Sequence, residues 1–296
     1  MKIDVCIATY RRPQWLGQLL RDLDGQQLLE PCTLRVIVVD NDAECTARPV
    51  AAEFRSDRLE LIYRCQPVKN IALTRNEALE QTDADWVAFV DDDESVPPNW
   101  LRSLLECQRQ FDADVVFGPV EGRLATPAPD WICRGGYFKA HALPNGAPVR
   151  WGSTNNALVR GQVIADGARF DRRYGLTGGE DTHFFFGLSQ QGVRMVWCPA
   201  AMITEHVPAN RMTLRWLLQR SFRGGQSFAD IVARPNRLLP LMAWALRRSA
   251  MLLAGVALTC LGLPFGPMWA IRHALRVAAH AGELSTMFKF RLQEYR

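Results

Sequence analysis

Residues 86–94, WVAFVDDDE, set an apolar run of five directly against three consecutive aspartates. A run this short, with Asp83 and Asp85 before it and Pro97-Pro98 after it, predicts a strand buried on both faces of a parallel sheet. Residues 34–39 (LRVIVV) have the same form and also stop at an acid, Asp40. Apolar strands with acids at their carboxyl ends place a ligand site along that edge of an open α/β sheet. Adjacent carboxylates repel one another unless a cation or hydrogen-bond donors offset them, and Mg²⁺ or Mn²⁺ accepts such oxygen ligands. The plainer alternative is a solvated acidic loop in which Asp93 or Ser95 caps a helix starting at Pro97. Asp91, Asp92 and Asp93 alone do not decide between the two.

The rest of the chain alternates in the same way. Residues 3–8 are apolar except for Asp4 and lead into Thr9-Tyr10-Arg11-Arg12-Pro13, after which a helix is expected through Leu16, Leu19, Leu20 and Leu23. A strand is expected at 59–63, a helix at 70–79 (NIALTRNEAL) carrying Arg75, a helix at 97–110 and a strand at 114–120. Such alternation predicts an α/β fold, a mostly parallel sheet flanked by helices. Residues 121–150 are rich in Pro and Gly and read as a long, ligand-selecting loop. Residues 151–163 hold a Ser-Thr-Asn-Asn centre in an apolar frame, and at 175–192 the turn GLTGGED feeds a helix through Glu180 and Asp181. Acids are favoured in a helix's first turn by its dipole, so this pair has an ordinary explanation too. A further strand is expected at 193–198, and His206 follows another short apolar stretch.

Hydrophobic residues make up 48% of the 296 and charged residues 22%, which excludes disorder. A net charge of +4 without an RNA-binding motif argues against a nucleic-acid partner. The charge is uneven, with eight arginines against one acid, Asp230, between residues 207 and 248. Residues 249–271 then run for 23 residues without a charge, enough to reach across a bilayer, but Gly262, Pro264, Gly266 and Pro267 break the run. Two half-helices dipping into one leaflet, flanked by Arg247, Arg248 and Arg272, are expected ahead of a buried hairpin. The segment from Arg211 reads as an amphipathic helix ending at Gly224-Gly225, dividing the chain into a domain at 1–225 and a helical, membrane-associated region at 226–296. The eight cysteines show no CxxC or zinc spacing and read as buried or free thiols of a reducing compartment. No signal-peptide core stands at the N-terminus, so the cytoplasmic side of a membrane is the expected location.

Together these motifs resemble the family 2 inverting glycosyltransferases of GT-A fold, especially bacterial members that extend exopolysaccharide repeat units. The resemblance covers about residues 1–225 and rests on VCIATYRRP, VVDN, NIALTRNEAL, FVDDDE, GGED and His206 followed by RWLLQRSFRGG, in that order. It implies a nucleotide-sugar donor, usually a UDP-sugar, bound with Mg²⁺ or Mn²⁺ across the carboxyl ends of the first strands. The family pattern places Thr9 and Tyr10 beside base and ribose, Asp40 on the uracil or ribose side, and Arg75 facing the nucleotide. Asp91 and Asp93 match the outer members of a DxD motif, contacting ribose and metal-diphosphate, with Asp92 as the alternative register. Asp181 matches the general base, Glu180 being the next candidate, and His206 stands where some relatives place an additional metal ligand. Arg215-Trp216 lacks the full QxxRW pattern of polysaccharide synthases, since Met212 stands three before Arg215. The implied activity is therefore addition of one sugar, to a lipid-linked glycan at the cytoplasmic face of the inner membrane, rather than processive polymerisation.

The chemistry of sugar transfer asks for the same groups. Charge builds on the departing diphosphate, which a cation held by carboxylates stabilises, while the attacking hydroxyl needs a carboxylate on the sugar's other side to take its proton. Two alternatives compete with this reading. A sugar-phosphate nucleotidyltransferase requires a glycine-rich loop after the first strand, and TYRRP contains no glycine. A non-catalytic membrane scaffold of the same fold is expected to carry a damaged acid cluster, and both clusters are intact.

Overall fold

The computed structural model describes residues 1–28, 31–262, 264, 266–288 and 290–293. The first half runs β1 (Lys2–Thr9), α1 (Pro13–Asp24), β2 (Thr33–Asp40), α2 (Arg48–Glu53), β3 (Leu59–Cys65), α3 (Ile71–Glu80), β4 (Trp86–Val90), β5 (Glu94–Ser95) and α4 (Trp100–Phe111). There follow β6 (Val115–Phe117), β7 (Val120–Leu124), α5 (Asp130–Gly135), β8 (Asn156–Arg160), α6 (Gly161–Ala165), α7 (Glu180–Gln190), β9 (Met195–Trp197) and β10 (Ile203–Val207). Three further α-helices are described: α8 (Leu214–Phe228), α9 (Leu238–Gly262) and α10 (Pro267–Ser285).

Seven strands form one sheet in the order β3-β2-β1-β4-β8-β6-β9. Every residue of β4 is buried, which is why its sequence is a continuous apolar run rather than an alternating one. Leu16, Leu19, Leu20 and Leu23 of α1, spaced as one helical face, join Trp100, Leu101 and Leu104 of α4 in the core on one side of the sheet. Ala72 and Leu79 of α3 with Phe184, Phe185 and Leu188 of α7 fill the other side. The acid that interrupts β1 is also accounted for: Asp4 is fully buried and takes two hydrogen bonds, at 2.8 and 2.6 Å, from the Arg35 guanidinium. The parallel register sets Thr9 beside Asp40 and Asp40 beside Cys65, so the polar ends of β1, β2 and β4 emerge along one edge.

The sheet is parallel except at one strand, β6 and β9 pairing parallel just as the first four strands do. β8 pairs antiparallel with both β4 and β6 and stands in the middle of the sheet, although its sequence gave no strand expectation. Asn156 opens it and is buried because its side chain is fully used. Its carbonyl oxygen accepts from Trp100 Nε1 at 2.9 Å, and its amide donates to the carbonyls of Pro119 and Ala201. The expected strand at 114–120 divides at Gly118, leaving β6 in the large sheet while β7 joins a second sheet ordered β5-β10-β7. The segment expected to be a long loop thus begins as a strand and includes α5.

Two further expectations are corrected. Cys45 and Cys65 form a disulfide, since β2 and β3 pair and the loop after Asp40 returns over the end of β3. The helix from Arg211 does not stop at Gly224-Gly225: α8 continues to Phe228. A Cβ on Gly225 would lie 2.0 Å from the Ala279 carbonyl oxygen, so this glycine marks a close crossing of α8 over α10 rather than a helix end. α9 ends at Gly262 and α10 begins at Pro267, and the two helices pack against each other through Gly255 on Val277 and Gly262 on Trp269. α9 is the one described helix long and apolar enough to cross a membrane, with a mean hydropathy of 1.4 and only 6% of that stretch buried.

Candidate active site

The carboxyl edge of the sheet gathers charge. Thr9 at the end of β1 donates its hydroxyl to Asp92 Oδ2 at 2.8 Å. Arg12, at the start of α1, bridges Asp92 Oδ1 (2.9 Å) and Asp93 Oδ2 (2.8 Å). Arg75 on α3 lies 3.5 Å from Asp91 and hydrogen-bonds Glu180 at the start of α7, joining the two acid clusters through one guanidinium. Arg211 reaches Glu205 of β10 and, at 3.4 Å, Asp93. Glu94 is buried beneath them, one oxygen accepting from the Asp91 amide at 2.7 Å and the other without a partner.

Six carboxylates (Asp91, Asp92, Asp93, Glu94, Glu180 and Glu205) therefore face three guanidiniums (Arg12, Arg75 and Arg211). The imbalance shows in their protonation. Loss of hydration raises Asp91 to about 7, with Arg75 opposing and Asp93, Asp92 and Glu205 adding to the rise. Loss of hydration likewise raises Asp92 to about 6 against the pull of Arg12. Burial, then Asp91, pushes Glu94 well above the usual carboxylate range. A hard divalent cation suits such a donor set, and the orphaned oxygen of Glu94 marks how incompletely protein donors alone satisfy it. Among the described residues no ready-made trio of His, Cys, Asp or Glu is poised around one point, so holding an ion requires Arg12 and Arg211 to yield.

The geometry sets a pH dependence. Asp91 and Asp92 keep protons in the metal-free fold well above the value of 3.8 at which the unfolded chain releases them. Their contribution to stability is fully present below 3.8 and is lost as pH rises through about 6 and then about 7. Cation binding must displace those protons, so the rise in melting temperature caused by Mn²⁺ is expected to be larger at about pH 8 than at about pH 5.5. Equal shifts at both pH values, read by scanning fluorimetry, would show that the ion does not bind these carboxylates.

Tyr10 lies at the same edge, with the Arg11 guanidinium 5.2 Å and the Lys69 ammonium 4.8 Å from its ring centre, leaving a cation-flanked aromatic beside Thr9. Asp40 is fully buried and committed to the fold: its oxygens accept from Asp42 N, Ala47 N and the Tyr63 hydroxyl. The adjoining Asn41, the last residue of the VVDN motif, donates to the carbonyls of Gln66 and Val68 and accepts from Asn70 N. Asn70 in turn caps α3 and so fixes Arg75.

Gly178 and Gly179 take φ of +76° and +93° to turn the chain into α7. At Gly179 a side chain is excluded twice, by the left-handed backbone and by Ser227 Oγ, 2.7 Å from where a Cβ would stand. Glu180, the first residue of the helix, is buried on Arg75, whereas Asp181 is half-exposed and, among the described residues, accepts only from Thr182 N at 2.7 Å. His206 is not turned to the aspartates by its ring. Its backbone amide donates to the Asp93 carbonyl at 2.9 Å while the imidazole lies against Trp15, ring centres 4.0 Å apart, beside a cavity of about 570 Å³. Strand alternation sends Glu205 the other way, to Arg211. Arg12, Glu94, Glu205 and Arg211 are the site residues the sequence reading missed. Only Arg12 and Glu94 carried a signal, their place inside the TYRRP and DDDE motifs.

A mostly parallel sheet with two acid clusters joined across its carboxyl edge is the architecture of nucleotide-sugar glycosyltransferases, and residues 4–160 match the family described as glycosyl transferase family 2. The chain belongs to that family. It is 37% identical over 289 residues to succinoglycan biosynthesis protein ExoM of Rhizobium meliloti (strain 1021), covering 96% of this chain and 92% of that one. It is also 24% identical over 248 residues to the glucosyl-dolichyl phosphate glucuronosyltransferase of Haloferax volcanii, covering 77% and 76%. Among solved structures it is similar to the mannosyltransferase PcManGT from Pyrobaculum calidifontis, in complex with GDP-Man and Mn²⁺. That likeness has a TM-score of 0.64 at 17% identity over 97% of this chain and 87% of that one. S. aureus TarS 1–349 in complex with UDP-GlcNAc has a TM-score of 0.55 at 15% identity, covering 100% and 93%. The fold expected from the motifs and the family are those found, and the protein is a glycosyltransferase.

Proposed function

We propose that this enzyme transfers one sugar, with inversion, from a UDP-sugar to a hydroxyl of a lipid-linked bacterial glycan during exopolysaccharide assembly. The observation that carries the reading is the Arg75 bridge, which fixes the helix start bearing Asp181 at the same edge as Asp91–Asp93. Support for the pathway comes from the likeness to a succinoglycan biosynthesis protein along nearly the whole chain. The UDP moiety rests on the motif resemblance and on one structural relative, another relative carrying GDP-Man.

Asp93 and Asp91 would hold Mg²⁺ or Mn²⁺, which when bound neutralises charge on the departing diphosphate. Arg12 and Arg211, released from Asp93, are placed to take diphosphate oxygens, and Tyr10 offers a ring face to the base. Asp181, whose Oδ2 has no protein partner among the described residues, receives the hydroxyl proton. Incubating the protein with UDP-, GDP- and dTDP-sugars with and without Mn²⁺, and measuring release of free nucleotide, tests donor and metal together. Metal-independent release from GDP-sugars alone would overturn the reading.

The acceptor's membrane is reached through α9 at the cytoplasmic face. Leu239, Leu246, Leu253 and Leu261 expose 66 to 77% of their surface on that helix. Burying such a side chain is worth roughly 1.5–3 kcal/mol, so changing all four to Gln is expected to shift the protein from the membrane pellet to the supernatant at low salt. Persistence of the variant in the pellet would remove α9 from the attachment. Deleting the tail is a poorer test, because α10 covers Gly225 of α8.

A further inference from the structure

α8 and α9 diverge over α10 and leave between them an almost wholly apolar groove of about 540 Å³, a volume within the roughly 300–1,000 Å³ of small-molecule sites. Its walls are Leu218 and Phe222 from α8 and Val256 and Cys260 from α9, and its floor is Ala274 and Val277 from α10. One end is lined by Phe290 and Leu292, whose backbone is tied to Gln226 near the end of α8. The other end points along α8 towards its start. There Arg215 continues the helical face of Leu218 and Phe222, is exposed, and has no hydrogen bond or ion pair among the described residues. Leu218 lies about 6 Å along the helix axis from Leu214, and just before that start Arg211 touches Asp93.

We infer that this groove holds the hydrocarbon chain of the acceptor lipid, with Arg215 on its phosphate and its saccharide directed towards Asp93 and Asp181. The inference rests on the glycosyltransferase reading above and names the acceptor's carrier. Three features select this occupant. The walls are apolar where a chain would lie, a lone cation stands at the mouth where a phosphate would lie, and the same helix leads from that mouth to the catalytic carboxylates. An acyl chain of an ordinary phospholipid satisfies the first feature but has no use for the third. α9, the membrane-length helix, forms one wall, so a chain can enter sideways from the bilayer.

Cys260, an exposed free thiol in the wall, reports on occupancy directly. In a Cys133→Ser background, on phosphatidylcholine vesicles, farnesyl diphosphate at about ten times its dissociation constant is expected to slow alkylation of Cys260 by N-ethylmaleimide roughly tenfold. Inorganic diphosphate should have no effect, and Arg215→Ala should weaken the protection. Ala274→Trp, which fills the floor, is expected to raise KM for a polyprenyl-diphosphate-linked acceptor about tenfold or more. The same variant should leave nucleotide-sugar hydrolysis unchanged, along with transfer to the same saccharide on a water-soluble carrier. Alkylation that farnesyl diphosphate does not alter would overturn the inference, assigning the groove to phospholipid chains. Oxidative cross-linking of Cys260 between two copies, unaffected by the prenyl compound, would do the same in favour of a dimer contact. Failure of the unmodified protein to hydrolyse any nucleotide-sugar would sink the glycosyltransferase reading instead, while the alkylation still reports on the groove.

Discussion

Asp181→Asn is expected to lower sugar transfer by at least ~10² while leaving UDP affinity within about twofold. The two acids at the start of α7 have the same sequence context but different surroundings. Glu180 is 3% exposed and held by Arg75, which also lies 3.5 Å from Asp91, so its charge belongs to the donor edge. Asp181 is half-exposed and uses one oxygen to accept from Thr182 N, while the other has no protein partner among the described residues. Asn preserves the shape and that one hydrogen bond but cannot accept a proton, so the loss should fall on kcat with donor KM nearly unchanged. Glu180→Gln should give the opposite signature, weaker donor binding, because it leaves Arg75 with a neutral partner. A transfer assay with calorimetric titration of UDP separates the two. Near-normal kcat in Asp181→Asn would take Asp181 out of the mechanism.

Legibility in the sequence followed a physical division. β1, β2 and β4 are buried on both faces, so burial wrote continuous apolar runs that any reader of the chain meets first. β8 is as central but opens on Asn156, whose place in the core depends on Trp100, Pro119 and Ala201, all remote in sequence. No local pattern can announce a polar residue satisfied from three other segments. The same holds for the site: Asp91–Asp93 and Glu180-Asp181 announced themselves as clusters, whereas Glu205 and Arg211 arrive only because β10 lies between β5 and β7. Gly224-Gly225 shows how a correct local rule fails, since a glycine pair ends a helix in isolation but here Gly225 admits α10. Cys45 and Cys65 lacked any recognisable spacing because strand pairing, not sequence distance, brings them together.

That division also decides what removing one of the aspartates does. Asp93→Ala is expected to weaken Mn²⁺-dependent binding of UDP by more than ~10², about 2.7 kcal/mol, without lowering the melting temperature of the metal-free protein. On the sequence alone Asp93 would be an exposed carboxylate whose loss costs little. In the structure it is only 9% exposed and contacts both Arg12 and Arg211, which ordinarily makes its removal costly. The surrounding charge reverses the balance. Arg12 retains Asp92 and Arg211 retains Glu205, so neither cation is stranded. Asp91 and Asp92 meanwhile lose a like-charged neighbour that raises both. Relief of that repulsion offsets the lost ion pairs in the apo protein, whereas the ion loses a donor that nothing replaces. The stabilisation by Mn²⁺ and UDP should therefore vanish in Asp93→Ala while the metal-free transition stays put. A variant that melts lower without metal but keeps the full Mn²⁺ shift would make Asp93 a structural ion-pair partner and move the metal to Asp91 and Asp92.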